Sequence, residues 1–530
     1  MSKILIHAGS IYSPGNPDAT SAVIDGTHFA WIGDRVSASA FAGDVDQVID
    51  FDDAFISPGF VDAHVHLSAT GLLASECNLV DASSAAQALQ LLQTFVSKND
   101  PEVVYAHGWD DTLWLDRPAF TQEAIDQIVG RRIAYLSRID VHSALCSSFL
   151  MSQVSDEISR GHKDGFVSKD AHAVIRAHVL SNLSTQRLNA AIEFALAQAS
   201  ANGIVAVHEN GGPSVSGERD FRTVSDIALR TDVPKIFGYW ADEDLQKVKE
   251  LNAYGAAGDL CVDGSLGSES ALLSGPYSGM DSTGIEYLST IEVSRHLIEC
   301  TKLGIQAGFH AIGDRAIENV ALGIEAAIDQ CGILAVRALR HRVEHGLMSS
   351  PRSLNVFANA GVVLSMQPNF TDLWGRPGGM YEQKLGSPRV QNLNPFVDAL
   401  NQGIVLAFGT DSPVTPMNPW QTIKAATTNP NPGQRLSMRA AFVAHTRGGW
   451  RAVHDDEAGV ISLGAPAHFT VWNVPSFAPD SANEVVLSWS TDARSGMPVL
   501  PNLSQELPTA LLTVLSGKSI YDPNGLWLDE

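Results

Sequence analysis

The chain has 530 residues, 45% hydrophobic and 18% charged, enough for a large core and more than one structural unit. With 59 acidic against 35 basic residues the net charge is −24, a mean field that repels phosphate backbones and anionic membranes and disfavours both as partners. The five scattered cysteines form neither a disulfide framework nor a CxxC zinc site, no apolar run reaches membrane-span length, and the start MSKILIHAGSIY lacks a secretory pattern, so a soluble cytoplasmic protein is expected.

The first sixty residues read as short strands, KILIHAGSIY, AVIDGTHFAWIG and QVIDFDDAFISPGF, with a hairpin signal at Asp25-Gly26. So small a sheet needs a partner to cover its apolar face. The C-terminal segments GVISLGAPAHFTVWNV, NEVVLSWS and ALLTVLSGKSIY offer one. The expectation is a composite β-sandwich-like domain from residues 1–58 and 455–530.

Between them, residues 59–454 alternate strand and helix. Strand candidates are FVDAHVHL, VVYAHGW, RIAYLSRID, GIVAVHEN, DLCVDG, GIQAGFHAIG, LRHRVEHG, GVVLSMQP and GIVLAFGTDS. TQRLNAAIEFALAQASANG and DRAIENVALGIEAAIDQCG carry apolar residues at helical spacing and end on glycine. Such alternation predicts a parallel sheet, open or closed into a barrel. Residues of about 70–200 fit the repeat poorly and read as an insertion after the first body strand. The glycine- and proline-rich loop 371–395 stands where a barrel would place an active-site lid.

Ionisable groups sit where apolar runs stop. His64 and His66, two apart on a strand, face the same side and suit a divalent ion. His208 and Glu209, His310 and Asp314, Glu344 and His345, and Asp411 end four further runs. Repeated burial of such groups requires partners, and a barrel collects strand ends at one mouth. A divalent metal centre is therefore expected, with zinc suited to imidazole and carboxylate, while manganese, iron, cobalt and nickel stay open. Strand alternation points His345 and His341 toward the axis and Glu344 toward the helices, where a salt bridge to Arg340 or Arg342 or a position behind a ligand would engage it. Asp411 is placed to accept and return the proton of an attacking water, and Asp314 resembles a helix N-cap. Cys261 reads as a buried small hydrophobe. The glycines of HENGG and CVDGSLGS fit no nucleotide motif. Trp109, Trp114, Phe370, Trp374 and Trp420 lie on expected loops, where one or two of them would line an apolar substrate pocket.

Seven ordered segments, SPGFVDAHVHL, SRIDVHSALCSS, VDGSLGS, FHAIGDRAI, HRVEHG, VVLSMQP and GTDSPVTP, together with the strands at both ends, resemble the amidohydrolase superfamily, specifically its YtcJ-like branch, which contains proteins similar to N-substituted formamide deformylase. The resemblance implies a metal-dependent hydrolase on a distorted (β/α)8 TIM barrel, with a composite β domain and an insertion after the first barrel strand. It implies His64 and His66 as first-strand metal ligands, His310 and His345 as ligands on the fifth and sixth strands, and Asp411 as the aspartate that handles the proton. It also implies that Asp140 and His142, in the insertion, reach the mouth and contact substrate.

Many relatives carry, four residues before the aspartate of the DG motif, a lysine that can be carbamylated to bridge two metals. Asp259 occupies that place here, which favours a single ion, with Glu209 as a candidate replacement carboxylate. The expected reaction is hydrolysis of a C–N bond in an amide, formamide or cyclic amide. Deamination of a small heterocycle, or a non-catalytic metal- or ligand-binding role on the same scaffold, are the alternatives. The expected substrate is a small, partly apolar molecule, bound near Asp140, His142, Trp109 and Phe370, and a homodimer is a fold-level expectation.

Overall fold

The computed structural model describes residues 2–154, 158, 161–477 and 499–527. The expected strand NEVVLSWS lies outside these residues.

Eight parallel strands form one sheet in sequential order: β1 (Phe60–Val65), β2 (Ile204–Gly211), β3 (Lys235–Trp240), β4 (Gly255–Ala256), β5 (Gln306–Ala311), β6 (Arg342–His345), β7 (Val363–Met366) and β8 (Val405–Phe408). The chain just after β8 returns to β1: the Asp411 amide donates to the His64 carbonyl at 2.8 Å, and the His66 amide to that of Ser412 at 3.0 Å. Inside, Asp62 adds a second tie, accepting the Thr410 amide at 2.9 Å. These bonds close a distorted (β/α)8 barrel.

The helices pack outside the barrel as their periodicity requires. Thr185–Ala201 starts on a Ser184 cap that accepts the Arg187 amide, and Asp314–Cys331 ends at Gly332, whose φ is +85°. Asp314 itself is the first residue of its helix; Gly313 is the cap, and the Asp314 carboxylate instead binds the amide and hydroxyl of Ser274.

Two strands are not legible as such in the sequence. KIFGYW forms β3, and β4 is only two residues long. DLCVDG does not supply a full strand. Past Gly258, at φ +90°, only Leu260 and Val262 pair with β5, through the His310 amide and carbonyl. Cys261 is half-buried there.

Between β1 and β2 the chain builds a six-stranded sheet, with VVYAHGW and RIAYLSRID as its neighbouring central strands Val103–Trp109 and Ile133–Arg138. The chain ends meet as well. The N-terminal strands Lys3–His7, Ser21–Asp25, His28–Gly33 and Gln47–Asp50 make a four-stranded sheet. Ser10–Ile11 and Phe55–Pro58 join the C-terminal strands Phe469–Asn473, Thr509–Leu515 and Lys518–Tyr521 in a five-stranded one. Ile6, Ile24 and Phe29 from the start of the chain share a core with Phe469, Leu512 and Trp527 from its end. Among the described residues no helix is long and apolar enough to cross a membrane.

Candidate metal centre

The upper end of β1 carries His64 and His66, and three hydrogen bonds fix how the neighbouring imidazoles stand. His64 Nδ1 donates to Glu344 Oε2 at 2.9 Å, His66 Nδ1 to the Asn210 carbonyl at 3.0 Å, and His345 Nδ1 to Gln367 Oε1 at 2.8 Å. Each acceptor is an oxygen, so Nδ1 carries a proton and Nε2 is the nitrogen left to meet a metal ion or a second proton.

Those nitrogens face carboxylates. Asp259 Oδ1 lies 3.4 Å from His64 Nε2 and its Oδ2 3.2 Å from His66 Nε2. Asp411 Oδ1 lies 3.2 Å from His66 Nε2 and 3.6 Å from His64 Nε2. His64 Nε2, Asp259 Oδ1 and Asp411 Oδ1 are all buried without a hydrogen-bond partner. Lone pairs packed against lone pairs repel unless a proton or a metal cation stands between them. The titration behaviour has the same origin. Burial alone would lower both imidazoles, but Asp259 and Asp411 hold His64 well above its ordinary value and raise His66 to about 9. Burial would likewise raise the two carboxyls, yet the histidines hold both below the usual range.

A divalent ion satisfies this donor set. Ligands about 2.0–2.1 Å from a tetrahedral ion stand roughly 3.3 Å apart, the spacing found here. Two overlapping groups have metal-competent geometry: His64, His345 and Asp411, and His64, His66 and Asp259. Because Glu344 occupies His64 Nδ1, both groups share the one Nε2 and describe a single centre.

Local backbone explains two of these placements. His345 and Asp411 both have left-handed φ, +69° and +53°, a conformation rare outside glycine and frequent at functional sites. At His345 it breaks the alternation of β6. His345 lines the cavity, but the expected inward His341 and outward Glu344 are corrected. His341 faces the helices, with its Nε2 3.0 Å from Thr301 Oγ1, whereas Arg342 and Glu344 point into the barrel. Glu344 does pair with Arg342, but inside, and behind His64, which belongs to both metal-competent groups.

The remaining expected residues divide. His310 lines the same cavity, its ring 4.4 Å from that of His345 and its Nδ1 3.5 Å from Asp263 Oδ1, but it joins neither metal-competent group. Glu209 does not reach the centre. Its neighbour His208 points inward to Arg342, so Glu209 faces outward, where it accepts the Leu67 amide at 2.7 Å at the head of the helix Leu67–Ser75. Burial pushes its carboxyl up to about 8. Asp140 and His142 line the cavity from the insertion. Asp140 is clamped by Ser268 Oγ at 2.7 Å, Ser265 Oγ at 2.9 Å and Arg138 Nη1 at 3.1 Å, and the His142 ring lies 5.3 Å from that of His310.

Phe370 also lines the cavity, stacked on His345 at 5.8 Å and 16°. The expected lid loop folds as three short helices, Pro368–Trp374, Met380–Leu385 and Ser387–Val390, which bring Trp374, Met380 and Tyr381 over the mouth. Trp109 is elsewhere. It is buried in the insertion, its indole N–H donating to the Leu136 carbonyl at 2.8 Å, so the expectation that it lines the substrate pocket is corrected. Asp259, which is not among the expected ligands, faces two of the histidines; its place four residues before Asp263 of the DG motif is the signal that could have found it.

The amidohydrolase family profile matches residues 47–521, most of the chain. The chain belongs to the amidohydrolase family. It is 26% identical to the protein LONG AFTER FAR-RED 3 of Arabidopsis thaliana, over 92% of this chain and 90% of that one. It is 24% identical to the putative amidohydrolase YtcJ of Bacillus subtilis, over 82% of this chain and 87% of that one. A solved structure of an uncharacterized metal-dependent hydrolase from Pyrococcus furiosus superposes with a TM-score of 0.70 at 24% identity, covering 88% of this chain and 98% of the other. Family, fold and the clustered histidines and aspartates together support a metal-dependent hydrolase.

Proposed function

We propose that this amidohydrolase is a zinc enzyme of the YtcJ-like branch that hydrolyses a C–N bond in a small, partly apolar amide, formamide or cyclic amide. The observation that carries the reading is the convergence of unpartnered His64 Nε2, Asp259 Oδ1 and Asp411 Oδ1 at the mouth of the barrel. A divalent ion bound there supplies carbonyl polarisation and a lowered water pKa.

The chain's own groups supply the rest. An amine leaves poorly as an anion, so C–N cleavage needs a proton carried from the attacking water to the nitrogen. Asp411, buried and held at its backbone by the His64 carbonyl, is the carboxylate placed to carry it. Asp140 and His142 form the polar wall of the cavity. Phe370, Trp374, Met380 and Tyr381 form an apolar one, which excludes water and accepts an uncharged substituent.

The test is Asp411→Asn on zinc-loaded protein, assayed against a panel of amides and formamides. Turnover should fall by roughly 10²–10⁴-fold while His64, His66 and Asp259 keep zinc bound. Full activity in that variant would remove Asp411 from its role.

A further inference from the structure

The barrel interior holds a second set of charged groups, below the proposed centre and outside its cavity. Arg342 and Glu344, both completely buried on β6, pair through two bonds, Nε to Oε1 at 2.8 Å and Nη2 to Oε2 at 3.0 Å. The guanidinium has further anchors from across the barrel. Nη2 donates to the Ala63 carbonyl of β1 at 2.7 Å, Nη1 donates to His208 Nδ1 of β2 at 2.8 Å, and the plane lies over the Tyr239 ring of β3 at 4.4 Å. Among the described residues the one further bond of Glu344 is from His64, whose Nδ1–H its Oε2 accepts.

We infer that the Arg342–Glu344 pair is a positioning device for the metal centre, a strut from the sixth strand that fixes the tautomer and orientation of His64 on the first. The inference rests on the metal-dependent reading above. Three features of the geometry carry it. The bidentate pairing leaves Glu344 no freedom to turn away. The second attachment of Arg342, at Ala63, lies one residue from His64, so the same guanidinium holds both the backbone and the side-chain partner of that histidine. A carboxylate accepting Nδ1–H makes the imidazole a stronger donor at Nε2, and removing such a partner typically weakens metal binding by about 10–100-fold. The residues of HRVEH thus have three duties: His341 packs outside, Arg342 and Glu344 brace inside, and His345 turns to the mouth.

The measurement is the zinc dissociation constant of the full-length protein, obtained by competition with a chromophoric chelator after stripping. Glu344→Gln keeps the shape and loses the charge. Arg342→Gln/Glu344→Gln removes both charges, so no lone ion is left buried. We expect zinc binding about 10–100-fold weaker than wild type in either variant, with a smaller zinc-induced rise in Tm, and turnover that climbs with added zinc where wild type is already saturated. Wild-type affinity in either folded variant would overturn the inference. So would failure of both variants to fold, which would make the pair a folding element. Absence of zinc binding by the wild type would remove the underlying metal reading instead.

Discussion

Asp259 Oδ2 stands 3.2 Å from His66 Nε2, and the other oxygen of the same carboxylate stands 3.4 Å from His64 Nε2. A side chain this short reaches the centre because the backbone past Gly258 runs alongside His310 at the mouth. No extended, carbamylated lysine is needed to place an oxygen there. Asp259→Ala should therefore reduce zinc retention through dialysis by at least about tenfold, measured by elemental analysis. Undiminished retention would show that Asp259 is a bystander.

Glu209→Gln should leave zinc content unchanged, because its carboxyl caps the helix that follows His66 and belongs to neither metal-competent group. The same elemental analysis decides it. Loss of zinc from this variant alone would return Glu209 to the ligand set.

The aromatic wall and the insertion tryptophan should behave differently. Phe370→Ala and Trp374→Ala should raise KM for amides with apolar substituents about tenfold, the loss expected when a large apolar contact to the substrate is removed, and, both being buried, should lower Tm as well. Trp109→Ala should leave KM unchanged and destabilise the fold by about 3–5 kcal/mol, because that indole is buried in the insertion core. Denaturant unfolding and steady-state kinetics on the same preparations separate the two outcomes.

Stability should fall with acid well above the carboxylate range. Burial lowers His341 to about 3 and His468 to about 4. Both use Nδ1 as an acceptor, from the Ala307 and Ser516 amides at 2.9 Å. The unfolded chain protonates these imidazoles near their ordinary value of about 6.5, the folded one only far below it. Their contribution is thus complete above pH 6.5 and is lost as pH falls toward 4. Each tenfold difference in proton affinity between the folded and unfolded chain is worth about 1.36 kcal/mol. The unfolding midpoint should drop between pH 7 and pH 5, and His468→Asn, which retains an acceptor, should drop less.

Much of this is legible in the chain. Period-two spacing puts His64 and His66 on one face, apolar runs ending in His or Asp announce a shared mouth, and short strands at both ends announce sheets shared between them. What escapes is set by geometry that residue patterns do not carry. Two residues of β4 have no periodicity to detect. The left-handed φ of His345 overturns the facing of its whole strand, and with it the inward positions of Arg342 and Glu344. Asp259 is far shorter than the lysine that many relatives carry at its place, yet backbone proximity decides its reach. Trp109 closes the strand candidate VVYAHGW, and its burial escapes notice because the insertion sheet that covers it departs from the strand–helix repeat around it.

The most direct measurement is the anomalous diffraction signal of crystals grown with zinc, paired with zinc stoichiometry in solution. The account predicts at least one ion per chain, within about 2.3 Å of His64 Nε2, His66 Nε2 and an Asp259 oxygen. A zinc-saturated crystal with no ion among these residues, or with the ion bound elsewhere, would contradict it.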